Sequence, residues 1–210
     1  MSLYRPAAFA SSDQAAIARL FDEHPFATLM TAGGGEPQVS HLPLLHRREP
    51  APHGSLIGHM ARANPHWRHF GSGATLAIFH GPHAYVSPSW YAEPAAQVPT
   101  WNYAVVHVHG LAEIVADRAA TLATLEQMIG RFEGGRPAPW RLQLEGARLD
   151  AMVGAIVAFR IAIERIDAKL KLSQNKDVAD RKRVASALRA EFVPDATATA
   201  AWMDREAGGD

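Results

Sequence analysis

Between Pro25 and Val115 the chain breaks into short runs rich in alternating, β-branched and aromatic residues, each ended within a few positions by glycine, proline or a polar turn. That spacing leaves no room for a helical crossover between successive strands, so the sheet it builds must be antiparallel. Residues 26–31 and 38–45 read as a hairpin about Gly33-Gly34-Gly35, and residues 55–60, 74–80, 84–87 and 103–115 follow as further strands. Only 64–70, which opens on Asn64-Pro65, reads as an interposed helix.

Outside this region the hydrophobic period lengthens. Ser11 to Gln14 offers a capping pair for a short helix with Ile17, Leu20 and Phe21 on one face, stopped by Pro25. After Asp117, a suitable cap, Leu122, Leu125, Met128, Ile129 and Phe132 share one helical face. A second helix spans 147–157, residues 159–166 alternate as a late strand, and 177–191 form a third, basic helix. The expected architecture is mainly β with peripheral helices (α+β), an antiparallel sandwich or barrel in a single domain over 1–192. Residues 193–210, rich in Ala, Thr and Gly, are expected to be a loosely held tail.

Composition removes several function classes. The chain has no cysteine, which excludes disulfides, thiolate zinc sites, iron–sulfur clusters and a cysteine nucleophile. Basic and acidic side chains balance at 21 each, so no global field favours nucleic acid, membrane or an acidic substrate. No secretory signal pattern and no membrane-spanning apolar run is present, and a cytoplasmic protein is expected. The signatures of serine hydrolases, zinc proteases, Walker loops and dinucleotide-binding turns are all missing.

Four stretches carry chemistry that packing does not demand. In residues 58–65, Arg62 precedes a helix start at Asn64-Pro65, where a guanidinium and free helix amides would suit a phosphate monoester; the competing reading is a surface arginine beside a simple cap. Residues 80–91 and 99–103 place Tyr85, Trp90, Tyr91, Trp101 and Tyr103 among Ser87, Ser89, Thr100 and Asn102. Rings among small donors and acceptors fit a planar heteroaromatic ligand, or else a core cluster at the end of the barrel. His107 and His109 share a strand face, yet no carboxylate accompanies them or His41, His59, His80 and His83 at ligand spacing; polar lining is preferred and no metal is expected. Last, all four lysines lie between Lys169 and Lys182, and residues 160–191 hold nine basic against five acidic side chains. Lys171, Ser173, Gln174 and Asn175 suit the edge of a ligand site, whereas Arg181, Lys182, Arg183 and Arg189 suit a solvated face or, less well, DNA phosphates.

Taken in order, these words resemble the PaiB family of FMN-binding negative transcriptional regulators, relatives of the pyridoxamine-phosphate-oxidase-like split barrels. The resemblance runs from Tyr4-Arg5-Pro6 through His24-Pro25-Phe26, His41-Leu42-Pro43, Gly58-His59, Asn64-Pro65 and Gly81-Pro82-His83 to Lys171-Leu172-Ser173-Gln174-Asn175. It implies a six-stranded antiparallel split β-barrel of the FMN-binding type, a homodimer and bound FMN. Arg62 would hold the FMN phosphate, with His59, Met60 and Asn64 beside it; Ser87, Trp90, Trp101 and Asn102 would border the isoalloxazine, and Lys171, Ser173 and Gln174 would close the site. Ala168-Lys169-Leu170 departs from the family's Gly-Lys-Trp and removes one stacking surface. No catalytic residue is assigned. Direct contact with DNA belongs to the regulator reading, although no helix-turn-helix signature is present. The alternatives are an FMN-dependent oxidoreductase, either a flavin reductase or a small-molecule oxidase, and a haem-handling relative.

Overall fold

A computed structural model describes residues 3–33, 35–50 and 52–207. Gly34, the centre of the expected hairpin turn, lies outside the described residues. The elements are β1 (Ala10–Ser11), α1 (Gln14–Glu23), β2 (Phe26–Thr31), β3 (Gln38–Pro43), β4 (Leu45–Arg47), β5 (Ser55–Ala61), β6 (Thr75–Val86), β7 (Thr100–Ile114), α2 (Arg118–Glu133), α3 (Gly146–Gly154), β8 (Ile156–Lys171), α4 (Val178–Ala190) and α5 (Pro194–Ala207). Short 3-10 turns cover Ala7–Phe9, Pro65–His69, Pro88–Trp90 and Pro94–Ala96.

The sheet is mainly antiparallel, as expected, but has eight strands rather than six, and its pairing does not close. The order is β3-β2-β6-β7-β8-β5-β4, with β1 on β8. The two extra strands are the shortest: β1 pairs Ala10 with Lys169 and Ser11 with Ala168, and β4 pairs Leu45 to Arg47 with β5. Runs of two and three residues carry no readable alternation. The ends of the order, β3 and β4, are joined through fully buried Leu44, whose amide donates to Pro25 O at 2.9 Å.

Three further corrections concern element bounds. The break expected at Gly81-Pro82 is absent, and β6 runs through it. Gly81 permits this because a Cβ there would lie 3.0–3.1 Å from Ala104 and Leu20. β8 begins earlier and ends later than the alternation suggested, so Lys171 closes a strand. The tail expected to be loose is helix α5, with Ala196, Thr199, Ala200, Trp202 and Met203 buried. Its inward face is made mostly of small residues, which carry little apolar periodicity; Pro194 at its first position supplies a φ suited to a helix start.

The chain divides into two compact units. The first combines the segment up to Glu23, His80–Val106 and the segment from Asp167 onward; the second combines His24–Phe79 and His107–Ile166. In the first, Leu20, Phe21, Val86, Leu170, Leu172, Leu188 and Trp202 are buried, and Trp202 Nε1 donates to Glu23 Oε2 at 3.1 Å. In the second, Leu29, Leu44, Leu56, Phe79, Val157, Phe159 and Ile161 form the core, with the Phe70 and Phe159 rings 5.0 Å apart. Gly110 lets β7 pass close to β8, since a Cβ there would meet Ala162 O at 2.0 Å. Helix α2 buries Thr121, Thr124 and Met128, while Phe132, expected on its apolar face, stays exposed.

One polar network sits inside this second core. His66 is 1% exposed, with Nδ1 at 2.8 Å from Ser40 Oγ and Nε2 at 3.0 Å from Thr31 Oγ1. A neutral imidazole offers one donor and one acceptor, which two hydroxyls can satisfy in either tautomer. Burial, and next the charge of His69, push its pKa down to about 4 from 6.5. Protonation therefore favours the unfolded chain. The stability is complete above pH 6.5 and falls as the pH drops toward 4, by roughly 3 kcal/mol. In urea titrations at these two pH values, His66→Gln, which keeps a donor and an acceptor, is expected to lower stability at neutral pH but to lose much of this acid-dependent decline.

Candidate functional site

Arg62 follows the end of β5 in the second unit, and its guanidinium is fixed by two backbone carbonyls. Nε donates to Gly154 O at 2.6 Å and Nη2 to Ile156 O at 2.7 Å, while Arg62 N donates to Ala155 O at 2.8 Å. The side chain thus binds the junction where α3 hands over to β8. Two of the five guanidinium N–H groups are engaged, leaving three directed elsewhere.

Arg62 lines a hollow of about 660 Å³ with Trp67, Ile114, Val115, Val153 and Val157. Trp67 is held there by its indole, whose Nε1 donates to Arg62 O at 3.0 Å. Arg118 and Asp150 line the same hollow and form an ion pair with each other. The lining therefore combines apolar side chains with two guanidinium groups, and the volume lies within the roughly 300–1,000 Å³ typical of small-molecule sites. Trp67, Arg118 and Asp150 were not singled out by the sequence reading; only the position of Trp67 in the turn after Arg62 hints at its place.

The residues expected beside Arg62 do other work. Asn64 caps the turn by accepting from His66 N at 3.0 Å and donates to Ser40 Oγ at 2.9 Å. The free helix amides expected for a phosphate are not there: the element is a five-residue 3-10 turn, Pro65 has no N–H, and that of His66 is taken by Asn64. Met60 is buried in the core. His59 places Nδ1 3.1 Å from Met128 Sδ, and burial lowers its pKa.

In the first unit the remaining candidates separate into two groups. Ser87, Trp90 and Trp101 line a hollow of about 540 Å³ with His83, Tyr85 and Leu188. Trp101 is 52% exposed and packs edge-on to Tyr85 at 6.3 Å, while Ser87 Oγ caps the following turn by accepting from Ser89 N at 3.2 Å. Asn102 points the other way, as strand alternation requires. It is 1% exposed and donates through Nδ2 to Ser173 Oγ at 2.9 Å.

Asn102, Lys171 and Ser173 line a smaller hollow of about 230 Å³, together with Phe9, Tyr91 and Lys176. Lys171 Nζ donates to Thr100 Oγ1 at 2.7 Å and Trp101 O at 2.6 Å. Ser173 is a buried non-glycine residue at φ 64°, a conformation that costs energy and tends to gather at functional sites. Gln174 is occupied with the turn itself, donating to Leu170 O at 2.6 Å and accepting from Leu172 N at 2.7 Å. Ala168 and Leu170 are buried, and Lys169 Nζ lies 5.1 Å and 5.2 Å from the Tyr4 and Tyr103 ring centres.

The sequence matches the family model described as "Putative FMN-binding domain" over residues 3–165. The chain belongs to this family. It is 36% identical over 206 residues to protease synthase and sporulation protein PAI 2 of Bacillus subtilis, covering 96% of this chain and 97% of that protein. The fold is also similar to that of the FAD- and haem-binding protein of Mycobacterium smegmatis, with a TM-score of 0.61, 19% identity, and 82% of this chain and 78% of that one covered. The flavocytochrome Anf3 of Azotobacter vinelandii gives a TM-score of 0.63 at 18% identity, with 83% and 75% covered. These two likenesses concern the fold alone. Among the described residues no helix is long and apolar enough to cross a membrane, and no cluster of three or more His, Asp or Glu could hold a metal ion.

Basic helix α4 keeps Lys182, Arg183 and Arg189 exposed and offsets part of their charge with acidic partners. Arg183 Nη1 pairs with Asp180 Oδ1 at 2.9 Å, Arg189 pairs with Asp204, and Nε and Nη2 of Arg181 are buried. The Asn102–Ser173 bond has a stability of its own to report. Asn102→Leu leaves Ser173 buried without that partner and is expected to cost about 2 kcal/mol, read as a lower urea midpoint with unchanged slope.

Proposed function

We propose that this chain binds FMN in the hollow of the second unit, with the phosphate on Arg62 and the isoalloxazine against the apolar side chains and Trp67. The observation that carries this reading is the pinned guanidinium: two carbonyls fix its plane, Arg62 lines the hollow, and little rotamer entropy is left to lose. Arg118 lines the same hollow and adds a second cation, although Asp150 already neutralises part of its charge. The family supports FMN as the ligand, and the volume fits a ligand of that class. FMN supplies electron transfer when bound; the chain contributes position and exclusion of water. Ser87, Trp90 and Trp101 form the other surface with a composition suited to a flavin ring.

The role of the bound flavin is that of a PaiB-type regulator acting as a homodimer. Asp180 and Asp204 offset the charge of exposed Arg183 and Arg189, which favours a signal passed through a ligand or protein partner over direct reading of DNA. An FMN-dependent oxidoreductase is the competing outcome: bleaching of the flavin absorbance within seconds of adding NADH or NADPH would assign it.

FMN and riboflavin differ by the phosphate alone, which makes the pair a direct test of Arg62. Arg62→Ala is expected to weaken FMN by roughly 10- to 100-fold, the value of one charge-assisted hydrogen-bonding contact, and to leave riboflavin nearly unchanged. Equilibrium dialysis against both ligands, with urea unfolding to confirm that the variant is folded, checks this. Equal losses for the two flavins would remove the phosphate from Arg62.

A further inference from the structure

The smaller hollow of the first unit has a composition that the flavin reading does not use. Lys171 and Lys176 both line it, and no acidic side chain does. Each cation rests near an aromatic face: Lys171 Nζ is 5.8 Å from the centre of the Phe9 ring, and Lys176 Nζ is 5.4 Å from that of Tyr91. Lys176 donates once, to Gln97 Oε1 at 2.6 Å, and Lys171 twice, so N–H groups remain on both ammonium groups. The floor is built rather than incidental, since Asn102, Ser173 and Tyr91 are each at most 5% exposed, and Ser173 is held at positive φ. With about 230 Å³, the space falls below the range of drug-sized sites and suits a ligand smaller than a flavin.

We propose that this hollow is a second ligand site, separate from the flavin, for a small monocarboxylate with a flat or short apolar body. The carboxylate meets the N–H groups of Lys171 and Lys176, and the apolar body lies against Phe9, Tyr91 and Val98. Crowding of the lysines supports the sign of the ligand: burial lowers the Lys171 pKa, and Lys169 and Lys176 lower it further. An anion relieves that repulsion and gains two charge-assisted contacts. The separateness of this site rests on the reading that places FMN in the second unit, whereas the binding of an anion by Lys171 and Lys176 does not.

Benzoate is the probe, titrated by calorimetry into the full chain with and without saturating FMN, with benzyl alcohol as the uncharged control. The expected result is one benzoate per chain with the same affinity in both states, no heat from benzyl alcohol, and about a tenfold or greater loss in Lys176→Gln. Lys171→Met gives a similar loss if it folds; Lys176, whose ammonium group donates to Gln97 Oε1, keeps the test valid if it does not. No binding up to about 10 mM, or binding indifferent to Lys176→Gln, overturns the site. Displacement of FMN by benzoate overturns its separateness. A chain that takes up no FMN but binds benzoate through Lys176 contradicts the flavin reading alone.

Discussion

The backbone pairing of β8 is the constraint from which both candidate sites follow. From Ile156 to Ala162 its residues pair with Ala61 to Ser55 of β5, and near its other end Lys169 and Ala168 pair with β1. Alternation along this one strand sends Val157, Phe159 and Ile161 into the core of the second unit. The same strand ends at Lys171, whose ammonium group reaches the hollow of the first unit. Arg62 holds the start of β8 by its first carbonyl, Ile156 O, and by that of Gly154. A residue expected to serve a ligand thus also serves the fold, and that fixed position makes it a suitable ligand-binding group.

This dual role would let an exposed arginine hold an anion tightly. A free arginine loses rotamer freedom when it captures an anion; one already held by two carbonyls has lost most of it during folding. The buried network of His66, Ser40, Thr31 and Asn64 lies a few residues along the chain and fixes the turn that carries Trp67. Asn64 thereby shapes the site through the turn, not by offering amides to a phosphate.

Much of the architecture was legible because half-buried strands advertise themselves by alternation. The runs around β2, β5, β7 and the middle of β8, and the Asp117 cap of α2, lie where the pattern put them, while the run expected over 38–45 divides at Leu44 into β3 and β4. The pattern failed where burial was not periodic. β1 and β4 are too short to alternate, Gly81-Pro82 has the chemistry of a break yet continues β6, and α5 buries Trp202 and Met203 within a sequence whose many small residues resemble a loose tail. Site chemistry was legible by type but not by grouping. Asn102 and Trp101 are neighbours in sequence, but opposite sides of β7 send them to different hollows, while the amide of Gln174 is used up by its own turn. The partners Arg118 and Asp150 are 32 residues apart, and no local pattern could join them.

The central claim is that the flavin ring lies in the hollow of the second unit. Flavins quench nearby indoles, and the two surfaces able to receive the ring contain different tryptophans: Trp67 in one, Trp90 and Trp101 in the other. The most direct measurement is the FMN-dependent quenching of tryptophan fluorescence in Trp67→Phe, set against the Trp90→Phe and Trp101→Phe variants. The account predicts that most of the quenching disappears with Trp67 and survives the other two substitutions. Quenching that persists in Trp67→Phe and is lost with Trp90 or Trp101 would contradict it and move the ring to the first unit.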